Sequence, residues 1–384
     1  MKINNAIITV LTLIVVLVIS SCTAVKLNPP AGLEFNAFGA YLDSAIPGLL
    51  SENLPGIQIA LINHGKVFYE KGFGLADKAA KTPVTTETIF QVASISKSVT
   101  AWGVLALAQR QKIKLDAPVS TYIHRWTLPP SSYDTNGVTI SNILAHRAGL
   151  NLGGYPGYKP GERIPSIEES LSGNNGQFPD LSSPGPLKLI NAPGEKFSYS
   201  GGGYTLLQLM IEEVTGQGFS GYMQKTVLAP AKMDSSSFEY TPEIGKRLAK
   251  AYSSSGDLLP NYLFVEKAAA GLYSKAGDLA RLLNELYKIK SDNSYQSPLL
   301  SREYAAYFYS ENPGFTTGED VFGYFRIKKD GVIKGVQHPG GNQGWKCFYA
   351  VEFSTGKGIV FLTNSDAGDE WVSRVMSLYE TFID

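Results

Sequence analysis

The strand-forming segments of this 384-residue chain lie at its two ends, with a long helical or irregular stretch between them. Ile57 to Asn63 and Lys66 to Gly72 are rich in β-formers and are joined by His64-Gly65, a pair suited to a two-residue turn. Comparable runs return only near the C-terminus: Val321 to Lys328, Val332 to His338, Trp345 to Phe353 and Gly358 to Thr363. Short glycine-bearing turns separate them, which favours antiparallel pairing. A sheet built from such a chain must be closed between its two ends. The expectation is therefore an α+β fold. One lobe, about 35–93 and 311–384, holds an antiparallel sheet flanked by an N-terminal helix (Phe35 to Leu54) and a C-terminal helix (Asp369 to Phe382). A mostly helical lobe, about 94–310, is inserted into it. No repeat of fixed period is visible.

Composition narrows the function classes. A hydrophobic fraction of 43% supports a large core. Lys+Arg and Asp+Glu both number 34, and no basic run is interleaved with aromatics, so nucleic acid is not an expected partner. Small-molecule or peptide substrates fit better.

Residues 1–21 read as a targeting signal: Lys2, then the apolar stretch Ala6 to Ile19, then Ser20-Ser21-Cys22. Ile19-Ser20-Ser21-Cys22 resembles a bacterial lipoprotein signal, which implies lipid on Cys22 as the new first residue. Residues 22–34 would then be a tether and 35–384 the folded domain. The protein would be held to a membrane in the bacterial cell envelope, outside the cytoplasm. An ordinary cleaved signal remains an alternative. An uncleaved span is disfavoured, because the run is shorter than the about 20 apolar residues a helix needs to cross a bilayer.

The two cysteines are Cys22 and Cys347. With the first lipidated, no internal disulfide is expected, and Cys347, inside a strand-like apolar run, reads as an inert core thiol. The four histidines, His64, His124, His146 and His338, are too scattered for a metal site, and none is expected. Gly201-Gly202-Gly203 is too short for a phosphate loop and has no companion lysine, so no cofactor is expected. The long irregular stretch Asn151 to Pro186 reads as surface loops of a kind often used in binding.

The chemistry centres on Phe90-Gln91-Val92-Ala93-Ser94-Ile95-Ser96-Lys97, at the start of a long helix running to Gln111. A spacing of three puts Ser94 and Lys97 on one helix face. A serine hydroxyl needs a base within reach, and a lysine serves if its surroundings hold it neutral. The helix start adds unpaired N–H groups where an oxyanion would develop. The same S-x-x-K pattern recurs at Ser354 to Lys357, but between two strand-like runs, where it reads as a hairpin turn.

With two further segments, Tyr199-Ser200-Gly201 and His338-Pro339-Gly340-Gly341, the chain resembles the serine β-lactamase and penicillin-binding family, class C in particular. Leu144-Ala145-His146-Arg147-Ala148-Gly149-Leu150 and Ala269 to Leu272 resemble framework segments of that family, His146 included. The resemblance implies a β-lactamase/transpeptidase-like fold, with Ser94 as nucleophile, Lys97 as base and Tyr199 as a proton acceptor. It also implies an oxyanion hole from the backbone N–H groups of Ser94 and Gly341. His338, Gly340 and Gly201 would line the substrate site, His338 bonding the tyrosine or the substrate.

Two departures matter. Gly201 stands where the family has the Asn of Tyr-x-Asn, and His338 stands for the lysine of Lys-Thr/Ser-Gly, as in the esterase and D-aminopeptidase branches. Both remove contacts used on β-lactams. The reading is a serine acyl hydrolase acting on an ester, D-amino-acid peptide or β-lactam carbonyl, with efficient β-lactamase action less expected than esterase or peptidase action. The alternative is a non-catalytic or acyl-trapping relative, a sensor or scaffold. Tyr199 could also be an ordinary buried aromatic.

Overall fold

The computed structural model describes residues 27, 29–173, 185–310 and 320–383. The two ends do close one sheet. β1 (Gly56–Asn63) pairs antiparallel with β2 (Lys66–Asp77) on one side and, on the other, with the last strand, β12 (Gly358–Thr363), in the register Ile57 to Thr363 through Ile62 to Gly358. Between β2 and β12 in sequence lie β3 (Thr82–Pro83), β4 (Phe90–Gln91), β5 (Ala251–Tyr252), β6 (Leu258–Leu259), β7 (Tyr273–Ser274), β8 (Asp320–Val321), β9 (Tyr324–Lys329), β10 (Val332–Asn342) and β11 (Trp345–Glu352). The main sheet has the order β3-β2-β1-β12-β11-β10-β9-β8, while β4 pairs with β7 and β5 with β6. His64 and Gly65 take φ values of 46° and 74°, the doubly positive pattern of a tight hairpin turn.

β1, β11 and β12 are buried on both faces, which explains their nearly continuous apolar sequence. On one face Ile57, Ile59, Leu61, Phe348 and Phe361 pack against α1 (Phe38–Ala45) and α11 (Gly368–Glu380). The rings of Phe38 and Phe382 lie 4.8 Å apart there and join the two ends of the chain. The opposite face meets the inserted lobe, made of α2 (Ile95–Gln109), α3 (Ile140–Leu144), α4 (Ile167–Leu171), α5 (Gly201–Thr215), α6 (Phe219–Met223), α7 (Pro242–Arg247), α8 (Lys267–Ala270), α9 (Ala276–Ser291) and α10 (Arg302–Ala305). Helix α2 is buried all round from Ile95 to Ala108, the signature of a central helix.

Several expected elements differ in extent, among them β2, expected to stop at Gly72 and running on to Asp77. The helix expected over Phe35 to Leu54 ends at Ala45 and tightens into a 3-10 turn, Ile46–Gly48, because Pro47 and Gly48 are poor in a helix interior. The strand expected from Val321 to Lys328 is broken at Gly323 (φ 71°), whose carbonyl accepts from Ser98 Oγ of α2 at 2.5 Å. The strand expected to stop at His338 runs on to Asn342. Pro339 is tolerated inside it because β9 pairing ends at Gln337, so its missing N–H falls on an unpaired edge.

A buried side chain couples sheet to helices. Gln58 Oε1 accepts from the N–H of Ala276, the first residue of α9, at 2.6 Å, and its Nε2 donates to the carbonyls of Thr85 and Thr88 at 2.7 and 3.0 Å. Gln58→Leu leaves these groups buried and unpaired, so we expect a loss of about 1–3 kcal/mol in urea unfolding. An unchanged midpoint would mean that water or relaxation replaces these bonds.

Candidate active site

Ser94 is presented by a sharp turn between β4 and α2. Ala93 takes φ 47°, a left-handed conformation that costs a non-glycine residue about 1–2 kcal/mol. Neighbouring bonds hold it: Val92 N–H donates to the Leu272 carbonyl at 3.0 Å, and the Ile95 and Ser96 amides donate back to Val92 and Ala93 at 3.1 and 2.9 Å. The Cys347 thiol donates to the Val92 carbonyl at 3.1 Å, and burial pushes its pKa up, so it supports the turn as a protonated core group. Ser94 is the N-cap residue of α2, yet its hydroxyl makes no capping bond. Oγ is therefore not tied to the helix backbone.

One turn along, Lys97 is almost fully buried, at 1% exposure. Its Nζ lies 3.2 Å from Ser94 Oγ and donates to the Ala269 carbonyl at 2.8 Å. Among the described residues no carboxylate pairs with it. Burial without a counter-charge pushes the ammonium down to about 7, so a large share is neutral amine at neutral pH. The Tyr199 ring, its centroid 4.9 Å from Nζ, is a partial compensation for the cation.

Tyr199 precedes Ser200, whose hydroxyl caps α5 by accepting from Gly203 N–H. Its ring packs against His146, at 4.3 Å between centroids, and Phe325, at 6.3 Å and nearly parallel. His146 also fixes the backbone on both sides. Its carbonyl accepts from Ser198 N–H at 2.7 Å, and its Nδ1 accepts from Ser200 N–H at 3.1 Å. Burial raises the Tyr199 phenol well above its usual range, with the Ser94 hydroxyl acting the other way, so it is a neutral phenol at physiological pH.

His338 is buried beside Phe325, 5.0 Å away ring to ring. Its Nδ1 sits 2.5 Å from the Pro339 carbonyl, which can only accept, so Nδ1 carries the proton and Nε2 is an acceptor. Burial pushes it down to about 3, keeping the imidazole uncharged. No hydrogen bond joins it to Tyr199; the rings stand 6.3 Å apart.

Gly340 allows β10 to pass against the nucleophile turn, since a Cβ there would sit 2.6 Å from the Val92 carbonyl and against the Cys347 sulfur. Gly341 follows on the edge that β9 leaves unpaired. Ser94, Tyr199, Phe325, His338, Gly341 and Asp369 are among the residues around a cavity of about 310 Å³. A larger groove, about 790 Å³, lies between residues 27 and 29–33 and the C-terminal part of α11 and contains none of these groups.

Gly201 is not among the residues lining the cavity. It is buried under the loop after Leu150, where a Cβ would meet the Gly153 carbonyl at 3.2 Å and the Tyr155 ring at 3.3 Å. A side chain at this position would need the loop to give by a few tenths of an ångström. Cys22 lies outside the described residues, as does 174–184 of the irregular stretch. Ser354 to Gly356 form a turn capped by Glu352, and Lys357 Nζ donates to the Phe382 carbonyl at 2.6 Å, far from Ser94 in role.

Four contributors carry no sequence motif that assigns them to the site: His146, Phe325, Asp369 and Val372. His146 was read as framework only. Phe325, and Asp369 with Val372 on α11, reach the cavity through sheet and helix packing that no local motif announces.

A beta-lactamase family model matches residues 38–376. The chain belongs to the beta-lactamase family. Within this serine-hydrolase family, Protein flp of Staphylococcus aureus (strain NCTC 8325 / PS 47) is 26% identical over 345 residues, covering 86% of this chain, which spans 63% of that protein's length. Esterase EstB of Burkholderia gladioli is 27% identical over 383 residues, covering 89% of this chain and 95% of the esterase. Among solved structures, the octameric penicillin-binding protein homologue from Pyrococcus abyssi superposes with a TM-score of 0.71 at 26% identity, covering 89% of this chain and 77% of that one.

Gly201→Asn, which would reinstate the family's motif, should not add β-lactam turnover. The side chain would press on the Gly153 carbonyl and Tyr155, and we expect a loss of about 1–3 kcal/mol in thermal unfolding. A stable variant with faster nitrocefin hydrolysis would show that the loop yields.

Proposed function

We propose that this family member is a serine acyl hydrolase that favours ester carbonyls over β-lactams. The observation that carries the proposal is the buried, unpaired Lys97 amine 3.2 Å from an uncapped Ser94 hydroxyl.

Neutral Lys97 takes the Ser94 proton as Oγ attacks the carbonyl carbon. The developing oxyanion is held by the N–H groups of Ser94 and Gly341, the first at the positive end of α2. Collapse of the tetrahedral intermediate expels the alcohol, which receives a proton through Lys97 and the Tyr199 phenol. Water then attacks the acyl-enzyme, giving its proton to the same base, and Ser94 leaves as the free hydroxyl. Tyr199 acts as a neutral relay held in place by His146. Preference for esters is supported by the uncharged His338, by the lack of an amide at Gly201, and by similarity over nearly full length to a protein named an esterase.

A fluorophosphonate should label the wild type and not Ser94→Ala; equal labelling would remove the nucleophile assignment. The base must be neutral to act, and its pKa is lowered, so activity is gained as pH rises. We expect kcat/KM for p-nitrophenyl acetate to rise through a midpoint near 7, falling about tenfold per unit on the acid side. A climb continuing to about pH 10 would indicate a lysine with an ordinary pKa. Nitrocefin should be turned over more slowly than the ester.

We further propose that lipid on Cys22 holds the enzyme in the bacterial envelope. Among the described residues no helix is long and apolar enough to cross a membrane. Cys22→Ser should move the protein from the membrane fraction to the soluble one; unchanged sedimentation would argue for another attachment.

A further inference from the structure

Resting on the acyl-hydrolase reading, a second feature of the same cavity bears on which substrates it accepts. The cavity wall is largely apolar or aromatic, with Phe325, Pro339 and Val372 on it. Among the described residues, Asp369 is the only lining residue with a formal charge, since His338 is held neutral. Lys97, beneath Ser94, is not part of that wall.

The Asp369 carboxylate is placed by the fold. It is the second residue of α11, and Lys346 of β11, which pairs in register with Gly341, reaches it with an Nζ–Oδ2 distance of 3.0 Å. Lys346 also lies 3.6 Å from Asp366 Oδ1, which accepts from Gly344 N–H at 2.9 Å. The ammonium is thus bracketed by two carboxylates and mostly buried, at 18% side-chain exposure, while Asp369 is 73% exposed. The cluster carries two negative charges against one positive. Lys346 Nζ also stands 3.5 Å from where a Cβ on Gly341 would lie, so a ligand on that flank meets an ammonium already engaged by two carboxylates, with Asp369 as the exposed, cavity-lining group of the cluster.

We propose that Asp369, held by Lys346, sets the charge selectivity of the site: substrates that are uncharged or cationic on the flank beside Gly341 are accepted, and those with a carboxylate there are disfavoured. The excluded class comprises chains with a free α-carboxylate next to the scissile bond and bicyclic amides with an acidic ring substituent. The accepted class comprises neutral esters and esters or amides of amine-bearing alcohols and amino acids.

The test compares a neutral aryl ester with two carboxylate-bearing analogues of equal length, one charged on the acyl half and one on the alcohol half, in the wild type, Asp369→Asn and Lys346→Met. The readout is the ratio of kcat/KM, anionic over neutral, which cancels changes in folding or active fraction. Asp369→Asn should raise the ratio about two- to fivefold for at least one analogue, the range of a partly exposed charge pair. Lys346→Met, which keeps the packing stem and removes the cation, should lower it. Both effects should shrink in 0.5 M salt, about where screening falls to a few ångströms. Ratios unchanged in both variants for both analogues, or a ratio that falls in Asp369→Asn, would overturn the inference while leaving the hydrolase reading intact. Absence of any Ser94-dependent turnover of the neutral ester would remove that reading and this inference together.

Discussion

The site depends on a lysine amine buried without a carboxylate partner among the described residues. In a protein interior the charged form of such a group is penalised, and unless a counter-ion or several hydrogen bonds offset the penalty the group gives up its proton. Among the described residues, Lys97 has the Ser94 hydroxyl, one carbonyl and the faces of Tyr199 and Tyr204 around it. Its placement in α2, a helix buried all round, is what withholds water. The architecture follows from enclosing that helix. The inserted lobe wraps it, the turn at Gly323 seats on it, and β10 runs past its N-terminus at the distance Gly340 allows.

Each further group is oriented through a neighbour with no chemical part of its own. Ala93 carries strain so that Ser94 can leave its cap unused. His146 fixes Tyr199 by a ring face and two backbone bonds. The Pro339 carbonyl sets the tautomer of His338. These are supporting interactions of the kind that hold reacting groups to within a fraction of an ångström.

The sheet closed by the chain ends was legible because β1 and β12 are apolar on both faces and the turn at His64-Gly65 has a single good geometry. Ser94 and Lys97 were legible because helix spacing fixes their relation locally. Gly201 was legible as a departure but not as a cause, since the loop packed against it is distant in sequence. Asp369 and Phe325 were not legible for the same reason: they reach the cavity through packing of α11 and β9, and neither carries a motif. The strand break at Gly323 depends on a hydrogen bond to α2 that no local pattern encodes.

The central claim is that Lys97 is a base because its burial holds it neutral. Carbon-13 NMR of protein labelled at the lysine Cε, with the Lys97 signal assigned by Lys97→Arg, measures this directly. The account predicts titration with a midpoint near 7, apart from the surface lysines. A midpoint near the ordinary value of about 10.4 would contradict it.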